Sequence, residues 1–313
     1  MSQRRTARAP FGAWFNTSGW RDLIIATPYG WLLVFFFLPF LIVAGMSFAV
    51  TVVATPPFAF LDGWPYLRGE NYARLVEDDL FIRAFLISIG IAATTTVLCL
   101  LIGFPMALCL TRVSRAWRNL LLMLVILPFW ISFLLRVYAW IGLMNTNSWF
   151  NKALTNAYNA LVPAEMALRA IQMTNTNFAV VLVMVYSYLP FMVLPLYANL
   201  ERLDPALDEA ALDLGSRPWQ VFKDVTLPLS IPGIIAGGLL VFIPASGELI
   251  IPSLVGNASD PMIGRVISDQ FAIARDWPMA SAIAVVLLFL LVAPMIAYSH
   301  FEARAQARKE MEP

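Results

Sequence analysis

DEAALDLGSRPWQVFKDVTLPL, residues 208 to 229, lies between two long apolar runs in a chain of 313 residues that is 60% hydrophobic. From Glu201 to Asp224, nine of 24 positions carry charge, whereas the whole chain is only 13% charged. A soluble globule carries roughly 25% charged residues. A chain this apolar that gathers charge into one segment reads as a membrane protein with a structured loop on one face.

The loop has its own grammar. Asp204-Pro205 is a helix start: a side-chain acceptor for the cap, then Pro at the first helical position. A short helix is expected from Pro205 to about Leu214, with Leu203, Leu207, Ala211 and Leu214 on one apolar face and Asp208, Glu209 and Asp213 largely away from it. Gly215 stops that helix. Arg217-Pro218 starts a second one, because a residue before Pro avoids the helical region. Trp219, Phe222 and Val225 form its apolar stripe, and Pro228 and Pro232 break the chain before the next apolar run.

A helix needs about 20 apolar residues to cross a bilayer. Six stretches qualify, near 28–53, 84–110, 119–143, 178–200, 233–255 and 280–300. They divide the chain into a tail at 1–27, a transmembrane domain at 28–300 and a tail at 301–313, with the polar loop at 201–232. The first run exceeds the roughly 7–15 residues of a signal-peptide core and is expected to be a retained span. No stretch shows the roughly ten-residue alternating segments of an outer-membrane barrel. The expected fold class is an all-α membrane protein with six spans.

Six spans put both termini on one side. That side holds 13 basic residues, among them Arg112, Arg115 and Arg118 in one tight turn, against 7 on the other; Arg136 falls within a span. The positive-inside rule then places both termini and the 201–232 loop in the cytoplasm.

Other classes find little support. Net charge is +1, so nothing points to nucleic acid. Cys99 and Cys109 fit no zinc or redox spacing, and His300 is the only histidine, so no metal constellation is expected. A phosphate-binding loop needs Gly before its Lys. Lys152, Lys223 and Lys309 follow Asn151, Phe222 and Arg308. No catalytic set appears, so the chain is not expected to be an enzyme, and energy must come from a partner.

The motif Glu209-Ala210-Ala211, three residues, Gly215, nine residues, Val225, one residue, Leu227-Pro228 resembles the EAA loop of ABC importer permeases, with Val225 in place of their Ile. In that family the loop is the helix that docks on a cytoplasmic ATPase. The resemblance implies a type I, MetI-like importer fold in the bacterial inner membrane. It assigns the coupling role to Asp208, Glu209, Ala210, Ala211, Gly215, Arg217, Leu227 and Pro228. It implies a second homologous permease subunit, two ATPase subunits that use ATP and Mg, and a periplasmic binding protein. No cofactor is implied for this chain.

Segments such as ILPFWISFLLRVYAWIGLM (126–144), YLPFMVLPLYANLERLD (188–204) and GIIAGGLLVFIPASGELIIPSLVG (233–256) resemble the polyamine permeases of that family, those for putrescine and spermidine. The acidic residue in Gly247-Glu248-Leu249 favours the putrescine type.

Residue chemistry bears on the cargo. Glu248 is the only acidic residue well inside a span, and an intramembrane carboxylate usually faces a cavity or a partner charge. Aromatic faces that would complement it through cation–π contacts are Trp130, Tyr138, Tyr186 and Tyr188. Arg136 is read as a gate or as an ion-pair partner. The plainer alternatives stay open: Glu248 snorkelling or pairing with Arg136, and the aromatics as packing. So do other cargoes, spermidine or another cation, and an ion-coupled secondary transporter or a membrane scaffold.

Overall fold

Capping side chains and prolines set where each helix begins and ends. The structure, a computed structural model, describes residues 18–59, 69–163, 166 and 168–311. Most of the N-terminal tail, with Arg4, Arg5 and Arg8, lies outside the described residues, as do Arg68 and positions 312–313.

Helix α1 runs from Ser18 to Met46 through a π turn at Leu33–Phe37; its apolar segment Ile24–Met46 has 23 residues, about 34 Å at 1.5 Å per residue, and none of its most apolar stretch is buried. It stops well short of the expected end near 53. Ser47 Oγ bonds back to Ala44 O at 2.7 Å, and Asn71 Nδ2 takes Ser47 O and Ala49 O at 2.9 and 3.0 Å. These bonds steer the chain into an unexpected two-stranded hairpin, β1 (Val50–Thr51) against β2 (Phe58–Ala59), with Val50 opposite Ala59. Helix α2 (Glu70–Glu77) follows, then α3 (Asp79–Arg112), whose first turn is capped by Asp78 accepting from Leu80 N at 2.9 Å.

The run near 119–143 is not one straight helix. Helix α4 (Arg115–Ile126) tightens into a 3₁₀ turn at Leu127–Trp130, and after Ser132 the chain resumes as α5 (Phe133–Met144), with a bend of 91° between the arms. Pro128 brings no N–H to the helical ladder and Ile131 turns extended, which together break the span. Helix α6 (Trp149–Leu161) is started by Ser148 Oγ accepting from Asn151 N at 3.0 Å. Asn151 is itself fully buried and ties Met144 O to Ile171 O, anchoring the segment beyond α5.

Helix α7 (Asn177–Leu200) runs unbroken through Pro190 and Pro195, a place where the proline pair suggests a hinge. Helices α8 (Pro205–Asp213) and α9 (Pro218–Val221) make the polar loop. A π turn at Phe222–Thr226 and a short turn at Leu227–Leu229 lead into α10 (Ile231–Ser246), and this break bends the chain by 64°. The run near 233–255 is interrupted after Ser246, and α11 (Ile250–Val255) completes it. Helix α12 (Ile263–Ala272) and the long α13 (Trp277–Met311) close the chain.

Among the described residues, α1, α3 and α7 are each long and apolar enough to cross a membrane, and two bent pairs, α4 with α5 and Pro218–Leu229 with α10, pass that test when joined. Within α13, the described apolar stretch is Trp277–Val292.

The chain divides into two units, residues 1–73 with 275–290, and residues 74–274 with 291–313. In the first, Phe58 lies near Trp277 at 6.2 Å between ring centroids, and Thr51 Oγ1 donates to Asp276 at 2.5 Å. In the second, α3, α7 and α10 form the core. Helix α3 buries one stripe, including Ile91, Ala92, Thr95, Cys99 and Gly103, and leaves Leu86 and Leu101 on the opposite, exposed face. Helix α10 buries Gly233, Gly237, Val241 and Ala245, a spacing of four that presents small residues to its neighbours, as helices packed in lipid do.

Candidate functional site

Two places in the second unit hold the residues of interest: the polar loop and the break around Glu248. The loop is built by short-range chemistry. Asp204 accepts from Ala206 N at 3.0 Å and starts α8 behind Pro205. Gly215 ends it with φ at +90°, a conformation that costs other residues roughly 1–2 kcal/mol. Ser216 N then returns to Ala211 O at 3.1 Å. Arg217 starts α9, its backbone N–H donating to Gln220 Oε1 at 2.8 Å.

The orientation of α8 departs from the sequence reading. Asp208, placed with the outward residues by its charge, is half-buried and accepts from Thr226 Oγ1 at 3.2 Å. Leu214, placed on the packing face, is 88% exposed. Leu207 and Leu212 are also exposed, as are Glu209, Ala210 and Asp213, while Ala211 is half-buried. The amphipathic pattern presumed that the chain covers its own apolar stripe; Leu207 and Leu214 of that stripe are instead exposed, while Leu203 and Ala211 are half-buried. Trp219 is 70% exposed and stacks on Phe222, with ring centroids 5.3 Å apart. Phe222 meets Phe104 of α3 edge-on at 5.5 Å, and Leu203 and Leu227 pack on the core. Arg217 and Pro228 are exposed.

The loop is also clamped from the turn between α3 and α4. Arg118 of α4 gives Nη1 to Glu201 Oε1 at 2.9 Å and Nη2 to Thr111 O at 3.2 Å. A cavity of about 290 Å³ lies beside this clamp, lined by Arg112, Arg118, Glu201, Asp204, Asp208 and Thr226 among others. Phe222 thus joins the loop to α3, Glu201 joins it to α4, and Asp208 joins α8 to the π turn.

At the second place, Tyr188 of α7 donates its hydroxyl to Glu248 Oε2. Glu248 Oε1 accepts from Ile250 N at 3.0 Å and Ile251 N at 3.4 Å, so the carboxylate caps α11 and joins it to α7. Gly264 of α12 lies directly against this break: a Cβ there would sit 2.5 Å from Gly247 O and 2.7 Å from Glu248 O. Ser88 of α3 accepts from Ile263 N at 2.7 Å, holding α12 in place.

The expected aromatic set divides. Tyr188 joins Glu248; Tyr186 instead meets Trp140 edge-on at 5.6 Å. Trp130 is 85% exposed and Tyr138 58% exposed, and neither has a hydrogen bond or ring contact to the Glu248 cluster among the described residues. Three residues absent from the sequence reading fill the space: Tyr188 meets Phe191 at 6.1 Å, Phe191 meets Phe129 edge-on at 4.9 Å, and Phe129 with Phe133 flanks Arg136. The i, i+3 spacings of Tyr188 with Phe191 and of Phe133 with Arg136 are the sequence signal for them. Arg136 makes no ion pair with Glu248, both of whose oxygens are engaged elsewhere. The guanidinium lies 5.8 and 5.5 Å from the Phe129 and Phe133 centroids.

Broken helices around Glu248, and a capped polar loop packed on the core helices, fit a membrane transport subunit. Residues 99–306 match the family of binding-protein-dependent transport system inner membrane components, and the chain belongs to that family. It is 38% identical over 283 residues to the spermidine/putrescine transport system permease protein PotB of Salmonella typhimurium (strain SL1344), covering 90% of this chain and 94% of that protein. It is 36% identical over 289 residues to the protein of the same name from Escherichia coli (strain K12), covering 92% and 100%. A bacterial alginate ABC transporter, solved in complex with a periplasmic protein bound to an alginate pentasaccharide, shares the fold, with TM-score 0.64, 18% identity and coverage of 95% and 98%. The chain is thus a multi-pass inner-membrane permease with the all-α fold of ABC importers.

Proposed function

We propose that the chain is the permease subunit of an ATP-driven polyamine importer. The observation that carries the cargo class is the 38% identity, over 90% of the chain, to a permease named for spermidine and putrescine. Within that class, the acidic residue of Gly247-Glu248-Leu249 favours putrescine; the relatives' names carry both polyamines. A dication suits a site with one carboxylate and aromatic faces, and Glu248, Tyr188 and Phe191 supply that chemistry.

The termini and the 201–232 loop face the cytoplasm, following the basic residues. The ATPase docks on α8 and α9. Its docking surface is Glu209, Leu212, Leu214 and Trp219, which stay exposed among the described residues. The chain pairs with a second permease to enclose the path, and a periplasmic binding protein delivers cargo on the outer side. ATP binding closes the ATPase pair and pushes α8; the Asp208–Thr226 and Arg118–Glu201 contacts pass the movement to the spans. The 91° and 64° breaks are the places where the spans change angle.

The test is uptake of labelled putrescine by cells lacking the gene, with the gene restored beside its ATPase, second permease and binding protein. Restored uptake that excess spermidine barely inhibits supports putrescine. Restored uptake that spermidine abolishes moves the preference to spermidine. Absent uptake with normal expression removes putrescine and moves the search to spermidine and other cations.

A further inference from the structure

Arg136 is a guanidinium without an acceptor. The residue is only 8% exposed, and Nε and Nη1 are fully occluded with no hydrogen-bond partner. Arginine stays charged in proteins, so burial cannot be relieved by losing a proton. The two phenyl rings at 5.5 and 5.8 Å stabilise the charge from their faces but take none of its N–H groups. Among the described residues no carboxylate pairs with it: Glu248 is held by Tyr188, Ile250 N and Ile251 N. A cation in a span is normally paired, and among the described residues this one has no partner. Around it, Trp130, Leu135 and Tyr138 are all exposed. Trp, Tyr and Arg together are the residue types that dominate binding at protein interfaces.

We propose that Arg136 is the socket for a carboxylate carried by the second permease chain, which makes the exposed surface of α5 at Leu135 and Tyr138 a subunit interface. The proposal rests on the two-permease reading above. The acceptor arrives at Nη2, since Nε and Nη1 are occluded. A carboxylate and a headgroup phosphate share this hydrogen-bond chemistry; the exposed Leu135 and Tyr138 of the same helix favour a packed helix of the second permease, and the cross-linking arm below separates it from lipid. Removing one partner of such a pair strands the other charge, whereas removing both is nearly neutral.

The test uses the full complex, tagged on this chain and co-expressed with its ATPase, second permease and binding protein. Arg136→Met keeps the side chain's bulk and removes its charge. It is expected to lower recovery of the second permease at least tenfold. Changing one membrane-embedded Asp or Glu of that permease to its amide is expected to restore recovery. Recovery and uptake equal to wild type, or no amide substitution that restores recovery, overturns the proposal. A photoreactive residue at Leu135, with Arg136 intact, avoids any folding defect of the variant: a cross-link to the second permease supports the interface, and a cross-link to lipid alone overturns it. If the untouched chain recovers no second permease, the two-permease reading itself fails, and the socket with it.

Discussion

Tyr188 and Glu248 are 60 residues apart in sequence and are joined by a hydrogen bond from the tyrosine hydroxyl to the carboxylate. The other carboxylate oxygen caps α11. One side chain therefore does two things: it fixes the break in the span after Ser246, and it holds a negative charge beside an aromatic cluster. The two roles separate by mutation.

Glu248→Gln keeps an oxygen for Ile250 N and removes the charge. The expected outcome is a complex that assembles at wild-type yield and loses polyamine uptake at least tenfold. Uptake at the wild-type rate would leave Glu248 with its capping role alone. Tyr188→Phe removes one hydrogen bond to a charged group, worth roughly 2 kcal/mol. It is expected to lower thermal stability in detergent and to reduce uptake less than Glu248→Gln does.

Gly264→Ala tests the break itself. Its new Cβ would meet two carbonyl oxygens of Gly247 and Glu248 well inside contact distance. Backbone cannot yield there as a flexible side chain would, so overpacking should cost roughly 1–3 kcal/mol. The measurement is thermal unfolding of the purified complex, where Gly264→Ala should melt below wild type; Gly238→Ala, where the nearest neighbour is 3.8 Å away, is the control.

The loop gives a contrast between folding and coupling. Gly215→Val places a β-branched residue at φ of +90° and should displace α9 from α8. Leu214→Ala and Trp219→Ala change exposed side chains and should leave the fold intact, because neither fills the core. If each contributes about 1.5–3 kcal/mol when covered by the ATPase, the double variant should weaken ATPase recovery by tenfold or more. ATPase recovery unchanged in the double variant would move the docking surface elsewhere.

How much of this was legible in the sequence follows from the range of the interactions involved. The caps at Asp204, Arg217 and Gly215 act within three or four residues, and the sequence places each of them. The orientation of α8 was not legible. Its stripe through Leu207 and Leu214 is real, but hydrophobic periodicity does not say whether its own chain or a partner covers the stripe. The 91° bend depends on Pro128 and an extended Ile131 acting together in a run that reads as continuously apolar. Phe191, Phe129 and Phe133 pass for ordinary span residues until α7 and the α4–α5 bend bring them together. Gly264 gives no sign of its role in sequence, because the atoms it must avoid lie 16 and 17 positions earlier.

The central claim is that ATP-driven closure reaches the polyamine path through the 201–232 loop. The most direct measurement is ATP-driven uptake of labelled putrescine and spermidine into proteoliposomes holding the whole complex and loaded binding protein, with wild type beside Gly215→Val. The account predicts uptake by wild type that requires ATP. It predicts that Gly215→Val abolishes uptake while the permease pair still copurifies. Uptake by Gly215→Val at the wild-type rate, or wild-type uptake that proceeds without ATP, would contradict it.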